Sequence, residues 1–171
     1  MLTVEVYEMS KKIDIKFKLT IQEKIEIFNI IKNYRTVRSS LIEILKFVQK
    51  SYGWISNELI TELACILKIS KCDIEEIATF YSQIFRQPIG RNIIKYCDSV
   101  VCYVNGCEKI RCSLEKNLNV NVGETTKDFK FTLLPICCLG NCDKSPTIMI
   151  NDDLYSNVTE YSVIVLLESY Q

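Results

Sequence analysis

The chain has 171 residues, is 48% apolar and 25% charged, and carries 21 basic and 21 acidic residues, so its formal net charge is zero. That balance suits a globular protein with a real core, built as one domain or two small ones, and it excludes a strongly basic nucleic-acid-binding surface. Nine cysteines and no histidine remove His-ligated haem, mixed Cys/His zinc, Rieske clusters and imidazole acid–base catalysis, so any metal must be held mainly by sulfur.

No apolar run approaches the roughly 18 residues that a membrane span needs; Val163-Ile164-Val165-Leu166-Leu167 is the longest candidate. Glu5, Glu8 and Asp14 come early with no continuous apolar segment behind them, which is unlike a secretory signal or an acid-poor transit peptide. The expected setting is the cytosol, or the cytosolic side of a larger assembly, with no direct membrane insertion. Thiols stay reduced there, which favours metal or redox chemistry over a disulfide framework.

Residues 1–19 read as an N-terminal arm in which Val4, Val6, Ile13, Ile15 and Phe17 hint at alternation. Thr20 with Glu23 three residues on is a capping box, opening a helix with an apolar stripe of Ile21, Ile25 and Phe28 beside Ile27, Ile31 and Tyr34. A second helix is predicted from Ser39 or Ser40, with Leu41, Leu45, Val48 and Tyr52 at helical spacing and Gly53 as its stop. Ser56 caps a third, with Leu59, Leu63 and Ile66 inward. Ser70 caps a fourth, running to about Phe85 with Ile74, Ile77, Tyr81 and Ile84 inward. Pro88 and Gly90 end it. Four amphipathic helices joined by short loops predict a helical bundle over residues 20–88 whose stripes are core. Cys65 and Cys72 fall within it and are expected as small buried apolar residues.

The pattern changes after Gly90. Asn92–Tyr96 is β-rich and leads into Cys97; residues 107–118 read as a helix through Ile110, Leu114 and Leu118; Lys130–Leu134 alternates as a strand closed by Pro135. Thr147–Ile150 is a further strand, Asn151-Asp152-Asp153 turns into Leu154-Tyr155, and Thr159 caps a last helix with Tyr161, Ile164, Val165 and Tyr170. The order predicts an α/β layer over residues 89–171, with helices on a small mixed sheet. The fold class is therefore α+β.

Two cysteine pairs stand in the loops after two of these strands. Cys97-Asp98-Ser99-Val100-Val101-Cys102 is C-x4-C, and Cys138-Leu139-Gly140-Asn141-Cys142 is C-x3-C, with 35 residues between them. If the strands are neighbours, both loops emerge in one region and four sulfurs converge. Spacing alone says a four-thiolate site, iron–sulfur or zinc. The chain has no C-x-x-C dithiol, no G-x-G-x-x-G and no P-loop. Cys107 and Cys112 continue a five-residue beat but fall in the predicted helix, where that spacing turns successive side chains apart; Cys137 is the more plausible substitute ligand.

At these residues the sequence resembles the thioredoxin-like 2Fe–2S ferredoxin subunits (E-type subunits in bacteria) of NADH:quinone oxidoreductase, respiratory complex I. Gly53-Trp54-Ile55-Ser56, Ala78-Thr79-Phe80-Tyr81, Gly90-Arg91, Asn105-Gly106, Gly123-Glu124-Thr125-Thr126 and both cysteine pairs carry the resemblance, which runs from about residue 20 to 168. It implies an N-terminal helical bundle followed by a thioredoxin-like α/β domain, with Cys97, Cys102, Cys138 and Cys142 ligating one 2Fe–2S cluster. It implies a subunit of an oxidoreductase without a complete active site of its own, passing single electrons to and from the FMN of an NADH-binding flavoprotein subunit. The other partners would be the remaining subunits of a peripheral arm on the cytoplasmic side of the inner membrane. Tyr103 stands where the family often has histidine; Tyr103, Val100, Val101 and Leu139 are expected to shield the cluster. A zinc-stabilised interaction module is the rival, and NAD-linked hydrogenases or formate dehydrogenases are alternative hosts.

Overall fold

The computed structural model describes residues 18–170. All but the last two residues of the expected arm lie outside them. The chain divides into two compact units, one ending at Pro88 and one beginning at Ile89.

The first unit holds four helices: α1 (Ile21–Lys32), α2 (Val37–Tyr52), α3 (Asn57–Leu67) and α4 (Lys71–Phe80). Each starts on a hydroxyl that accepts a backbone N–H from the first turn: Thr20 from Glu23, Thr36 from Ser39, Ser56 from Leu59 and Ser70 from Asp73. Such caps satisfy helix N–H groups that have no partner within the helix. Ile27, Leu41, Ile44, Leu45, Val48, Leu59, Leu63 and Ile74 fill the core.

Several sequence expectations change here. In α1 the buried stripe runs through Ile27, backed by Ile30 and Ile31, whereas Ile21, Ile25 and Phe28 face solvent. A helix with apolar residues on both sides offers two stripes, and packing against α2 selects one. The second helix begins at Val37 because Thr36, not Ser39, supplies the cap. The fourth stops at Phe80, with Tyr81 in extended backbone and exposed. Beyond it Gln49 accepts the Phe85 N–H at 2.7 Å and donates to the Gln83 carbonyl at 2.9 Å. A distant side chain thus satisfies backbone that helical periodicity would have kept in the helix. Cys65 and Cys72 are exposed, not buried.

The second unit is a four-stranded mixed sheet in the order β2-β1-β3-β4. The strands are β1 (Asn92–Cys97), β2 (Phe131–Ile136), β3 (Ile148–Ile150) and β4 (Asp153–Tyr155). Strands β1 and β2 run parallel, and β3 is antiparallel to β1 and β4. A five-residue helix α5 (Val100–Val104) and the longer α6 (Cys107–Leu118) follow β1; α7 (Glu160–Ser169) closes the unit. Ile94, Tyr96, Leu133, Ile148 and Ile150 of the sheet share one core with Ile110 and Leu114 of α6 and Val163 and Leu167 of α7. Tyr161, Ile164 and Val165 instead lie outward. Strand β2 passes through Pro135 rather than ending at it, which its place at the sheet edge permits. Gly90 lets the chain enter β1 against β2: a Cβ there would lie 2.7 Å from the Phe131 carbonyl carbon, and its N–H donates to Thr132 Oγ1 at 2.6 Å.

Candidate metal centre

The parallel pairing of β1 and β2 decides where the cysteines go. Cys97 ends β1 opposite Ile136, which ends β2. The chain then leaves both strands at the same edge, so Cys102 and Cys138 start from neighbouring points. Cys97 is held on both sides: its N–H donates to the Thr147 carbonyl at 3.1 Å, and the next N–H, of Asp98, to Ile136 at 2.8 Å. From there α5 carries Cys102 inward. Cys97 and Cys102 are buried, and with Cys107 they form a small knot against which Leu139 packs.

The second loop is locked by its polar groups. Gly140 takes a positive φ of +75°, which a residue with a Cβ adopts only with strain, and its N–H reaches Cys138 Sγ at 3.3 Å. A 3-10 turn (Cys142–Lys144) follows. Asn141 Nδ2 donates to Ser156 Oγ at 2.7 Å, and the Thr147 hydroxyl donates to the Asn141 and Lys144 carbonyls at 3.4 and 3.3 Å. Cys138 and Cys142 remain exposed with their sulfurs 3.9 Å apart. Tetrahedral thiolate coordination with metal–sulfur bonds of about 2.3 Å has sulfur–sulfur edges of roughly 3.8 Å, so this pair spans one edge.

Three of these thiols depart from their ordinary value. Burial pushes Cys97 up, but the Ser99 hydroxyl, the N–H groups of Leu139 and Ser99 and the Cys102 thiol outweigh it and bring Cys97 below the ordinary thiol value. Cys102 is raised by burial and by its contact with Cys97, against the Thr147 N–H and the Ser99 hydroxyl. Cys142 is raised by its contact with Cys138, then by that thiol's charge, with smaller contributions from burial and from Cys102 and Cys97. Sulfur atoms paired in two loops and met by backbone N–H groups form a site for a cationic centre. The donor set fits a two-iron cluster: one close pair from each loop, all sulfur, with backbone donors already aimed at the sulfurs. Among the described residues no three Cys, Asp or Glu side chains meet as a single-ion site would require.

Cys65, Cys72, Cys112 and Cys137 are exposed. Cys107, at the start of α6, is buried against Cys97 and Cys102. Of the expected shield only Leu139 packs on the cysteine knot; Val100, Val101 and Tyr103 are exposed. Sequence reasoning missed Ser99 and Thr147 as hydrogen-bond partners of the sulfurs. A serine two residues after a candidate ligand was a readable signal for the first; Thr147 reaches the site only through the pairing of β3 with β1.

Two parallel strands ending side by side in thiol-bearing loops, on a sheet packed with helices, define a protein with a sulfur-rich metal site on an α/β layer. The chain belongs to the thioredoxin-like [2Fe-2S] ferredoxin family, whose model matches residues 27–171, and its cofactor is one 2Fe–2S cluster. It is similar to the E-type subunit of NADH-quinone oxidoreductase from Buchnera aphidicola, 57% identical over 94% of this chain and 99% of that one. The corresponding NADH-quinone oxidoreductase subunits of Escherichia coli and Pseudomonas aeruginosa are 49% and 47% identical, each over 91% of this chain and 93% of theirs. Among solved structures, an NAD+-reducing [NiFe]-hydrogenase in the H2-reduced state matches 81% of this chain with a TM-score of 0.68 at 22% identity, a likeness of fold. This chain spans 23% of that hydrogenase chain.

Proposed function

We propose that Cys97, Cys102, Cys138 and Cys142 hold the 2Fe–2S cluster, one pair to each iron, and that it exchanges single electrons with the FMN of an NADH-binding flavoprotein subunit. The chain is an electron-transfer subunit of an NADH:quinone oxidoreductase, the counterpart of the E-type relatives that it matches almost end to end. Oxidoreductase activity belongs to the assembled complex. The observation that supports the ligand assignment is the parallel pairing of β1 and β2, which end side by side at Cys97 and Ile136 and lead into the two cysteine-bearing loops.

When bound, the cluster supplies one-electron redox chemistry. The chain's own residues do the rest. The thiolates keep iron in place through both oxidation states. The N–H groups of Ser99, Leu139, Gly140 and Thr147 stabilise negative charge on sulfur. Leu139 covers the Cys97–Cys102 side, while the exposed Cys138–Cys142 side offers close approach to an electron partner. No helix among the described residues is long and apolar enough to cross a membrane; the reading places the chain in a peripheral arm on the cytoplasmic side of the inner membrane. Residues 20–88 serve as the docking part, with the exposed Ile21, Ile25 and Phe28 of α1 as its apolar contacts, and residues 89–171 as the redox part.

Purification tests this directly. The expected protein is red-brown, contains iron and acid-labile sulfide in a two-to-two ratio per chain, bleaches on reduction, and copurifies with a flavin-bearing subunit. A colourless protein with one zinc per chain overturns the assignment.

A further inference from the structure

Ser99 occupies the N-cap position of α5 and makes no capping hydrogen bond. Serine at that position ordinarily turns its hydroxyl onto the first-turn N–H groups, as Ser56 and Ser70 do in the first unit. Instead the Cys97 thiol donates to the Ser99 hydroxyl oxygen at 3.3 Å. The cap that Ser99 leaves unmade belongs to the short helix that carries Cys102.

We propose that Ser99 is a positioning residue of the redox centre: its hydroxyl donates to the Cys97 thiolate, stabilises the reduced state and raises the reduction potential. The inference rests on the ligand assignment above and extends it. A thiolate has lone pairs and no proton, so the hydroxyl is the donor once iron is bound. Reduction adds negative charge to the centre and its sulfurs, and a hydrogen bond to a more negative acceptor is stronger. The bond therefore favours the reduced form. Because the hydroxyl caps nothing, its removal should leave the helix almost untouched, which separates this role from a structural one.

The test uses the full chain with its cluster, comparing wild type with Ser99→Ala, Ser99→Thr and Cys97→Ser. The potential is read by EPR-monitored redox titration, alongside iron content and melting temperature. In Ser99→Ala the reduced-to-oxidised ratio at a fixed applied potential should fall by up to tenfold, a downward shift of up to about 59 mV for one electron. Iron content and melting temperature should stay near wild type, and Ser99→Thr should restore most of the shift. An unchanged potential in Ser99→Ala overturns the inference, as does a lowered melting temperature with no change in potential. If Ser99→Ala assembles no cluster but Ser99→Thr does, the hydroxyl is still required and the positioning role stands; loss in both overturns it. Cys97→Ser keeps the two readings apart. If it leaves the visible spectrum unchanged, the ligand assignment fails; if it damages the spectrum while Ser99→Ala is silent, only the role of Ser99 fails.

Discussion

At the scale of single residues, nine cysteines sort by burial and by what they touch. Cys97 and Cys102 are buried and in contact; Cys138 and Cys142 are exposed and close together. Replacing any one of these four by serine swaps a soft thiolate for a hard, weakly acidic hydroxyl. Each variant should lose or broaden the visible charge-transfer bands and lower the iron content. Cys112→Ser should leave both unchanged, since Cys112 lies outward on α6. Cys107→Ser should also leave the cluster's absorption in place, because Cys107 packs beside the inner pair from the start of a different helix. Absorption spectra and iron assays check the series, and an intact spectrum in Cys138→Ser would remove that residue from the ligand set. The pairs themselves were legible, because C-x4-C and C-x3-C are short enough to show in the chain. Ser99 and Thr147 were less so. What a serine or threonine does at a sulfur depends on where its hydroxyl or N–H points, and spacing does not encode direction.

At the scale of elements, the capping box that opens α1 shows how one carboxylate joins local and long-range structure. Glu23 Oε2 accepts the Thr20 N–H at 2.8 Å and the Tyr52 hydroxyl, from the end of α2, at 2.9 Å. Burial works against the Glu23 charge, but hydrogen bonds from Thr20, Tyr52 and Ser51 outweigh it and hold the carboxyl below its ordinary value. The partner feels the reverse: burial, then the Glu23 carboxylate, pushes Tyr52 up to about 12. A lowered acid contributes stability that is fully present above its unfolded value and is lost as pH falls through its folded one. Glu23→Ala should therefore cost about 1 kcal/mol at pH 7. That difference should shrink as the pH falls below 4.5, the carboxyl's ordinary value. Urea unfolding of the full chain at pH 7 and pH 3 checks it; an equal loss at both would assign the effect to helix propensity alone. The box was legible in the chain because Thr20 and Glu23 are three residues apart. The tie to Tyr52 was not, and neither was the end of α4 at Phe80. Both depend on side chains distant in the chain, Tyr52 on Glu23 at 29 residues and Gln49 on Phe85 at 36.

At the scale of the whole molecule, the described residues pack around two cores. One runs from Leu19 to Ile84; the other gathers the sheet with α6 and α7. The cysteine knot belongs to neither and forms a third, much smaller cluster at the strand ends. The second unit should therefore keep its sheet without iron, through residues such as Ile94, Leu133, Ile150 and Val163, while its ligand loops lose their common anchor. A cluster that joins the loop at Cys102 to the loop at Cys138 acts as a cross-link closing the intervening 35 residues. By the chain-entropy argument, a cross-link of that span stabilises the folded chain by about 2–4 kcal/mol. Removing iron with a chelator under anaerobic reducing conditions should lower the unfolding midpoint accordingly, and refilling with iron and sulfide should restore it. Hydrogen exchange should locate the change: amides of residues 98–104 and 138–147 lose protection, while those inside β1, β2 and β3 keep theirs. A chain with all four ligand cysteines changed to serine should unfold at the iron-free midpoint and ignore the chelator. Coincident unfolding curves with and without iron would mean that hydrogen bonds such as Asn141–Ser156 and Cys97–Thr147 already hold the loops as tightly as the metal does.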